Sequence, residues 1–174
     1  MIPTLRGNLG AMANGTSQEE LHDAAASRLR AVDQRYTSGR RQLVELLAEA
    51  PRPETIPELL DRAPSLAQSS AYRNLVVLEE AGVAHRVVTS DERSRYELAE
   101  DLMGHHHHLI CTSCGRVDDF TVSTQMERSL DRALTQAVDG TGFHPAGHRL
   151  DVLGTCVDCA TQSGTDPLRH ALGD

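Results

Sequence analysis

Residues 105–114 read HHHHLICTSC, and residues 156–159 read CVDC. All four cysteines of the chain fall in these two pairs, Cys111/Cys114 and Cys156/Cys159. Two thiolates three positions apart on a tight turn can both reach one ion at about 2.3 Å, and two such turns complete a tetrahedron. A structural zinc held by Cys111, Cys114, Cys156 and Cys159 is therefore expected. Thioredoxin-type chemistry is a weaker reading, because it explains one pair and leaves the other idle. Disulfides are also weaker, because residues 1–17 carry one Arg and no apolar run of the kind a secretory leader needs.

The four histidines lead into the apolar Leu109-Ile110-Cys111 and read with it as a strand, residues 106–111. Successive strand side chains point to opposite faces. His105 and His107 then face one way, and His106 and His108 the other. One segment thus supplies imidazole pairs to two separate sites, in a residue type that binds zinc, iron, nickel or copper. The bland alternative is a polar linker rich in His.

Outward from this stretch, the chain has 174 residues, 3% aromatics and no Trp, so its core is aliphatic. No apolar run approaches the roughly 20 residues of a membrane span, and a cytoplasmic location is expected. Net charge is −8, which argues against loose polyanion binding over the whole surface. All 17 basic residues are Arg. Arg28, Arg30, Arg35, Arg40 and Arg41 nonetheless stand against only Asp33 and Glu45 within residues 28–46. That local excess fits either a solvated helix face or a surface turned to nucleic acid.

Residues 1–26 read as a flexible arm whose end, from Gln18, has helical character. Apolar spacing then predicts helical structure over 27–50, with Ser38 capping a helix at 40–49. Short helices follow at 55–63 and 69–81, and strands at 83–88 and 95–98 joined by a turn at 89–92. Helices followed by a two-stranded wing are the pattern of a winged helix-turn-helix, whose second motif helix enters the major groove of DNA. That places Ser69, Ser70, Tyr72 and Arg73 toward double-stranded DNA, beside Arg35 and Arg40. Residues 100–104 form the expected hinge. Residues 105–160 form a second α+β unit, with strands at 116–122 and 149–154 and a helix at 124–138. Residues 161–174 form a polar tail. His22, His144 and His170 have no partner pattern and are expected on the surface. No HExxH motif and no nucleophile–base constellation occurs, so neither an enzyme nor a small organic substrate is expected.

The segment SSAYRNLVVLEEAGV, the run HHHHLICTSCG and the distal CVDC, in this order, resemble the ferric uptake regulator family of bacterial metal-sensing repressors. The resemblance spans about Arg28–Cys159. It implies an N-terminal winged-helix DNA-binding domain at 27–99 and a C-terminal α+β dimerisation domain with structural zinc. It also implies a homodimer that binds palindromic operators when a divalent metal, zinc or iron with nickel or manganese as further options, sets the domain pose. By the same resemblance His85, Glu97, His106, His108 and Asp119 form the sensor site. His105, His107 and His148 belong to a second site whose helix carboxylate falls at Met126, and the adjacent Glu127 is taken as its fourth member. Tyr72 and Arg73 match the recognition-helix pair, and Arg35 a residue reaching the minor groove. The chain departs from the pattern at Ala99, where zinc sensors often carry Cys, and at Glu54, where iron sensors carry His. Gly39 replaces a usual Pro, and the interval from Glu97 to the histidines is longer. A peroxide sensor of the same family would use the same site residues.

Overall fold

The computed structural model describes residues 17–89, 91 and 93–162. Ser17 opens the described chain with a reciprocal cap. Its hydroxyl accepts the Glu20 amide, and the Glu20 carboxylate accepts the Ser17 amide at 2.7 Å. This satisfies donors that a helix start leaves open, and α1 runs Gln18–Ala31. Leu21, His22, Ala25 and Leu29 lie on its buried face. Residues 18–26, expected to end a flexible arm, are thus folded into the core; residues 1–16 lie outside the described residues. His22 also departs from its expected surface position. It is buried, with Nδ1 bonded to the Tyr36 hydroxyl at 2.7 Å and Nε2 3.3 Å from Glu45.

Helix α2 (Ser38–Glu49) begins with Ser38 inside its first turn and Thr37 at the cap position, so Ser38 is not the cap. Strand β1 (Glu54–Thr55) leads into α3 (Ile56–Arg62), where Thr55 and Glu58 form a second capping box. Helix α4 (Gln68–Glu80) follows, then β2 (Ala84–Val88) and β3 (Ser94–Leu98). These strands form an antiparallel sheet in the order β1-β3-β2. Leu21, Leu43, Leu59, Leu75, Leu78 and Leu98 have no exposed surface and centre a core of nineteen buried residues. A Cβ on Gly39 would sit 3.1 Å from the Asn74 side chain, so glycine allows α2 to start close against α4.

The expected hinge contains one helical turn, α5 (Glu100–Met103), whose Leu102 is buried in that same core. The chain then crosses Gly104, at φ 103, into β4 (His107–Cys111). Strand β5 (Val117–Phe120), helix α6 (Thr124–Ala137), β6 (Asp151–Gly154) and α7 (Val157–Gln162) complete the second unit. Its sheet has the order β5-β4-β6, antiparallel on one side of β4 and parallel on the other. Helix α7 was not anticipated: its six residues carry no readable apolar period, and it reaches into the segment read as a tail. The rest of the tail, with His170, lies outside the described residues. His144 is exposed, as expected.

The β2–β3 hairpin lies along the second sheet. Val87 packs with Ile110 and Val117 in a separate small core. The Asp91 carboxylate rests on Gly115, whose positive φ of 68 and missing Cβ both suit glycine. The architecture is α+β, helices and two small sheets, with the hairpin of the first unit seated on the metal-ligating end of the second.

Candidate metal centres

Among the described residues, three groups of His, Cys, Asp and Glu each bring four potential ligand atoms within 4.8 Å of one another. The first is Cys111, Cys114, Cys156 and Cys159. Cys111 ends β4, Cys114 sits in the following turn, and Cys156 and Cys159 flank the start of α7. None is in a disulfide, and Cys114 Sγ lies 3.8 Å from Cys156 Sγ. Burial pushes the Cys111 thiol up, but the Cys156, Cys114 and Ser113 amides aimed at it prevail and hold it near 6. Cys159, crowded by the sulfurs of Cys114 and Cys156, is pushed up to about 12. Four thiols that cannot all ionise together, with amides already aimed at one sulfur, are a donor set completed by a thiophilic cation.

The second group is Glu97, His106, His108 and Asp119. Strand alternation puts His106 and His108 on one face, and the β4–β5 register sets Asp119 opposite His108. Glu97 arrives from β3 of the other unit. Its Oε2 lies 3.2 Å from His106 Nε2 and 3.0 Å from His108 Nε2. Burial pushes the Glu97 carboxyl up, but the hydrogen bonds from the two imidazoles outweigh this and hold it at about 2. The Glu97 bond conversely raises His106 to about 9. Asp119 is pushed up to about 6 by burial. The remaining ring nitrogens are held from outside: His106 Nδ1 donates to the Gly104 carbonyl at 2.9 Å, and His108 Nδ1 faces Asp151 Oδ1 at 3.3 Å. Such outer partners orient metal-ligating imidazoles. His85 is not brought into this group. It stands opposite Glu97 in the β2–β3 register, but its side chain is exposed to solvent. Glu54, where the resemblance implied the His of iron sensors, pairs with Arg62 at 3.0 Å.

The third group is His105, His107, Glu127 and His148. Glu127 Oε1 lies 2.8 Å from His107 Nε2, and Oε2 lies 3.2 Å from His105 Nε2 and 3.4 Å from His148 Nε2. The helical phase of α6 turns Glu127 inward and leaves Met126 exposed, so Glu127, not the position the resemblance implied, supplies the carboxylate. Asp131 Oδ1, one turn on, holds His148 Nδ1 at 3.1 Å.

Asp119 Oδ1, Glu127 Oε2 and His148 Nε2 are buried and lack a hydrogen-bond partner of good geometry. All three belong to the second and third groups. Orphaned buried polar atoms are costly, and a cation at each cluster would satisfy them; the residues present fit divalent metal.

On the other unit, Tyr72 and Arg73 are exposed on α4, and Tyr72 is half accessible, so it does not serve as a core residue. Ser69 is exposed and Ser70 half-buried at the start of this helix. Arg35 is exposed, whereas Arg40 folds back, donating to the Arg35 carbonyl and to Gln34 Oε1 at 3.0 Å. Arg40, Tyr72, Arg73, Asn74, Val76 and Val77 line one shallow depression.

Residues 31–153 match the model of the ferric uptake regulator family. The chain belongs to this family. It is 29% identical over 130 residues to the peroxide operon regulator of Bacillus subtilis, covering 72% of this chain and 84% of that protein. It is 27% identical over 148 residues to the peroxide-responsive repressor PerR of Staphylococcus saprophyticus, covering 83% of this chain and 94% of that one. Among solved structures, the ferric uptake regulator Fur of Helicobacter pylori has the same fold at TM-score 0.64 and 20% identity, over 82% of this chain and 93% of that chain. A zinc-bound manganese uptake regulator is similar at TM-score 0.56 and 28% identity, over 79% and 98%. Among the described residues no helix is long and apolar enough to cross a membrane.

Proposed function

We propose that this family member is a DNA-binding repressor whose grip on palindromic operators depends on a divalent metal, zinc or iron, with nickel and manganese as further options. One observation carries the reading. The Glu97/His106/His108/Asp119 group takes Glu97 from the hairpin of the first unit and its other three members from the second. A cation there supplies the charge that lets one carboxylate of the wing and the imidazoles of β4 share a site, at a fixed angle between the units. The wing carries Glu97, the unit from α1 (Gln18–Ala31) to β3 carries the DNA-reading surface, and 100–104 form the hinge. Residues 105–160 form the dimerisation domain. The four cysteines hold structural zinc, and the His105/His107/Glu127/His148 group is a second divalent site. A cation shifts the pose only as far as it prefers the closed arrangement over the open one.

Homodimerisation is supported by apolar surface that a single chain leaves bare. Helix α6 buries no residue fully, although Met126, Leu130, Ala133, Leu134 and Ala137 follow one helical stripe. Phe143, Leu153 and Val157, elsewhere on the same unit, are each about two-thirds exposed. Two-fold symmetry then offers two α4 helices to two half-sites. Tyr72 and Arg73 face the base edges, Ser69 and Ser70 the adjoining backbone, Arg35 the minor groove and Arg40 the phosphates.

Operator titrations with zinc, iron(II), nickel and manganese under anaerobic conditions test this. His106→Ala or His108→Ala is expected to abolish metal-dependent binding while leaving a folded dimer. Loss of the dimer instead would make the histidine strand structural. A second reading, a peroxide sensor whose iron site oxidises a ligating His, is favoured by the two similar proteins named as peroxide regulators. Gain of one oxygen atom on His106 or His108 after peroxide, in iron-loaded protein only, supports it.

A further inference from the structure

The hinge turn is held firmly on one side. Arg28 of α1 donates to the Gly82 carbonyl and pairs with Asp101 of α5. Ala99 and Leu102 are buried in the N-terminal core. Helix α5 therefore moves with the DNA-reading unit. Beyond Met103 the backbone reaches the histidine strand through Gly104, whose φ of 103 is open to glycine and resisted by other residues. Glu100 reaches across this soft link. Its Oε1 pairs with Nδ1 of His105. The other nitrogen of the same ring, Nε2, lies 3.2 Å from Glu127 Oε2. The His105 ring also packs edge-on against His107 and His148, with centroids 4.7 and 5.0 Å away.

We propose that Glu100 is a positioning residue of the His105/His107/Glu127/His148 group and ties loading of that group to the hinge. This rests on the reading of the group as a divalent-cation site. The Glu100 carboxylate accepts the Nδ1–H of His105, which fixes the tautomer that leaves Nε2 free to ligate. Asp131 does the same for His148, and Asp151 for His108. Those two carboxylates belong to the dimerisation unit, whereas Glu100 belongs to a turn anchored in the other one. Ordering His105 at the cluster therefore orders α5, and by reciprocity a fixed α5 favours loading.

The test uses the full chain with its four-cysteine zinc in place and cobalt(II) as the probe, titrated against a competing chelator. Wild type, Glu100→Gln and His148→Ala are compared, and amide hydrogen exchange is followed at residues 100–104. In wild type, cobalt whose binding requires His148 is expected to slow exchange in the hinge turn. Glu100→Gln is expected to weaken that cobalt about 10- to 100-fold, the usual effect of losing an outer-shell partner, and to remove the slowing. Melting of the zinc-loaded chain and cobalt binding at the Glu97 group should not change. If the Gln variant binds within about threefold of wild type, well short of an outer-shell loss, and keeps the hinge protection, the positioning role is overturned and the cluster reading stands. If wild type shows no His148-dependent cobalt, both fall.

Discussion

The two units of the chain are stabilised by different means. The N-terminal unit, α1 to β3 together with α5, closes around nineteen buried residues among those described, mostly Leu and Ala, with two capping boxes, and among the described residues it gives only Glu97 to a candidate metal cluster. The C-terminal unit has a small core of three residues, and one of these, Val87, is lent by the N-terminal hairpin. Its sheet is lined by histidines and cysteines, and its helix α6 leaves an apolar stripe bare. A unit this poor in burial needs metal, a partner chain or both. On the function proposed above, the unit assigned to DNA reading is thus self-sufficient in burial, and the unit assigned to sensing is not. On that proposal, metal supply acts on the shape of the sensing half while the reading half stays intact.

The largest break in this contrast comes from Cys111→Ser. Structural zinc contributes apparent binding energy of about 10–16 kcal/mol in small zinc domains, so this variant should lose zinc by elemental analysis and lose exchange protection in residues 105–160, with α1 to β3 still protected. Retained zinc and unchanged melting would refute the structural role. Next comes Leu75→Ala in the N-terminal core. A fully buried Leu cut to Ala costs about 2–5 kcal/mol, and here it should lower the denaturant midpoint of the N-terminal transition without changing zinc content. A simultaneous loss of zinc would mean the units do not differ as described. The smallest effect comes from Glu58, which caps α3. Burial pushes its carboxyl up, but the Thr55 amide and hydroxyl and the Arg52 guanidinium outweigh this and hold it at about 2. A lowered native value gives stability that is present above the unfolded range near 4.5 and is lost as pH falls toward 2. Glu58→Ala should cost about 1 kcal/mol at neutral pH, as other cap losses do, and should flatten the acid limb of the melting profile between those two pH values. An unchanged acid limb would remove Glu58 from that role.

Much of the candidate chemistry was legible because it is written in spacing. The CxxC pairs and the alternation of four successive histidines specify a thiol cluster and two imidazole faces, and the structure assembles both. Glu97 and Asp119 follow from the family pattern and fall into one cluster with His106 and His108. His85 does not, because being opposite Glu97 in register does not bring a long ring to a ligand distance. Glu127 rather than Met126 joins the third cluster because the turn of α6 faces Glu127 inward and leaves Met126 exposed. The outer carboxylates Glu100, Asp131 and Asp151 were missed as partners: their meaning depends on which ring nitrogen faces inward, and no sequence period records that. In the fold, α2, α4 and α6 were readable to within about two residues, whereas residues 18–26 of α1 read as the end of a flexible arm. The two-residue β1, the single turn α5 and α7 were not, since each is shorter than the period that would announce it. His22 was misread for the opposite reason, because a polar residue on an apolar face looks exposed until Tyr36 and Glu45 are seen to receive it.

The central claim is that Glu97 joins the wing to the histidine strand under metal control. Its direct test is operator affinity measured against free zinc or iron(II) for wild type and Glu97→Ala, both carrying their four-cysteine zinc. Wild type should gain affinity within the 5- to 150-fold range typical of coupled sites, and Glu97→Ala should stay at the metal-free level across the titration. The same metal-dependent gain in the Ala variant would contradict the account.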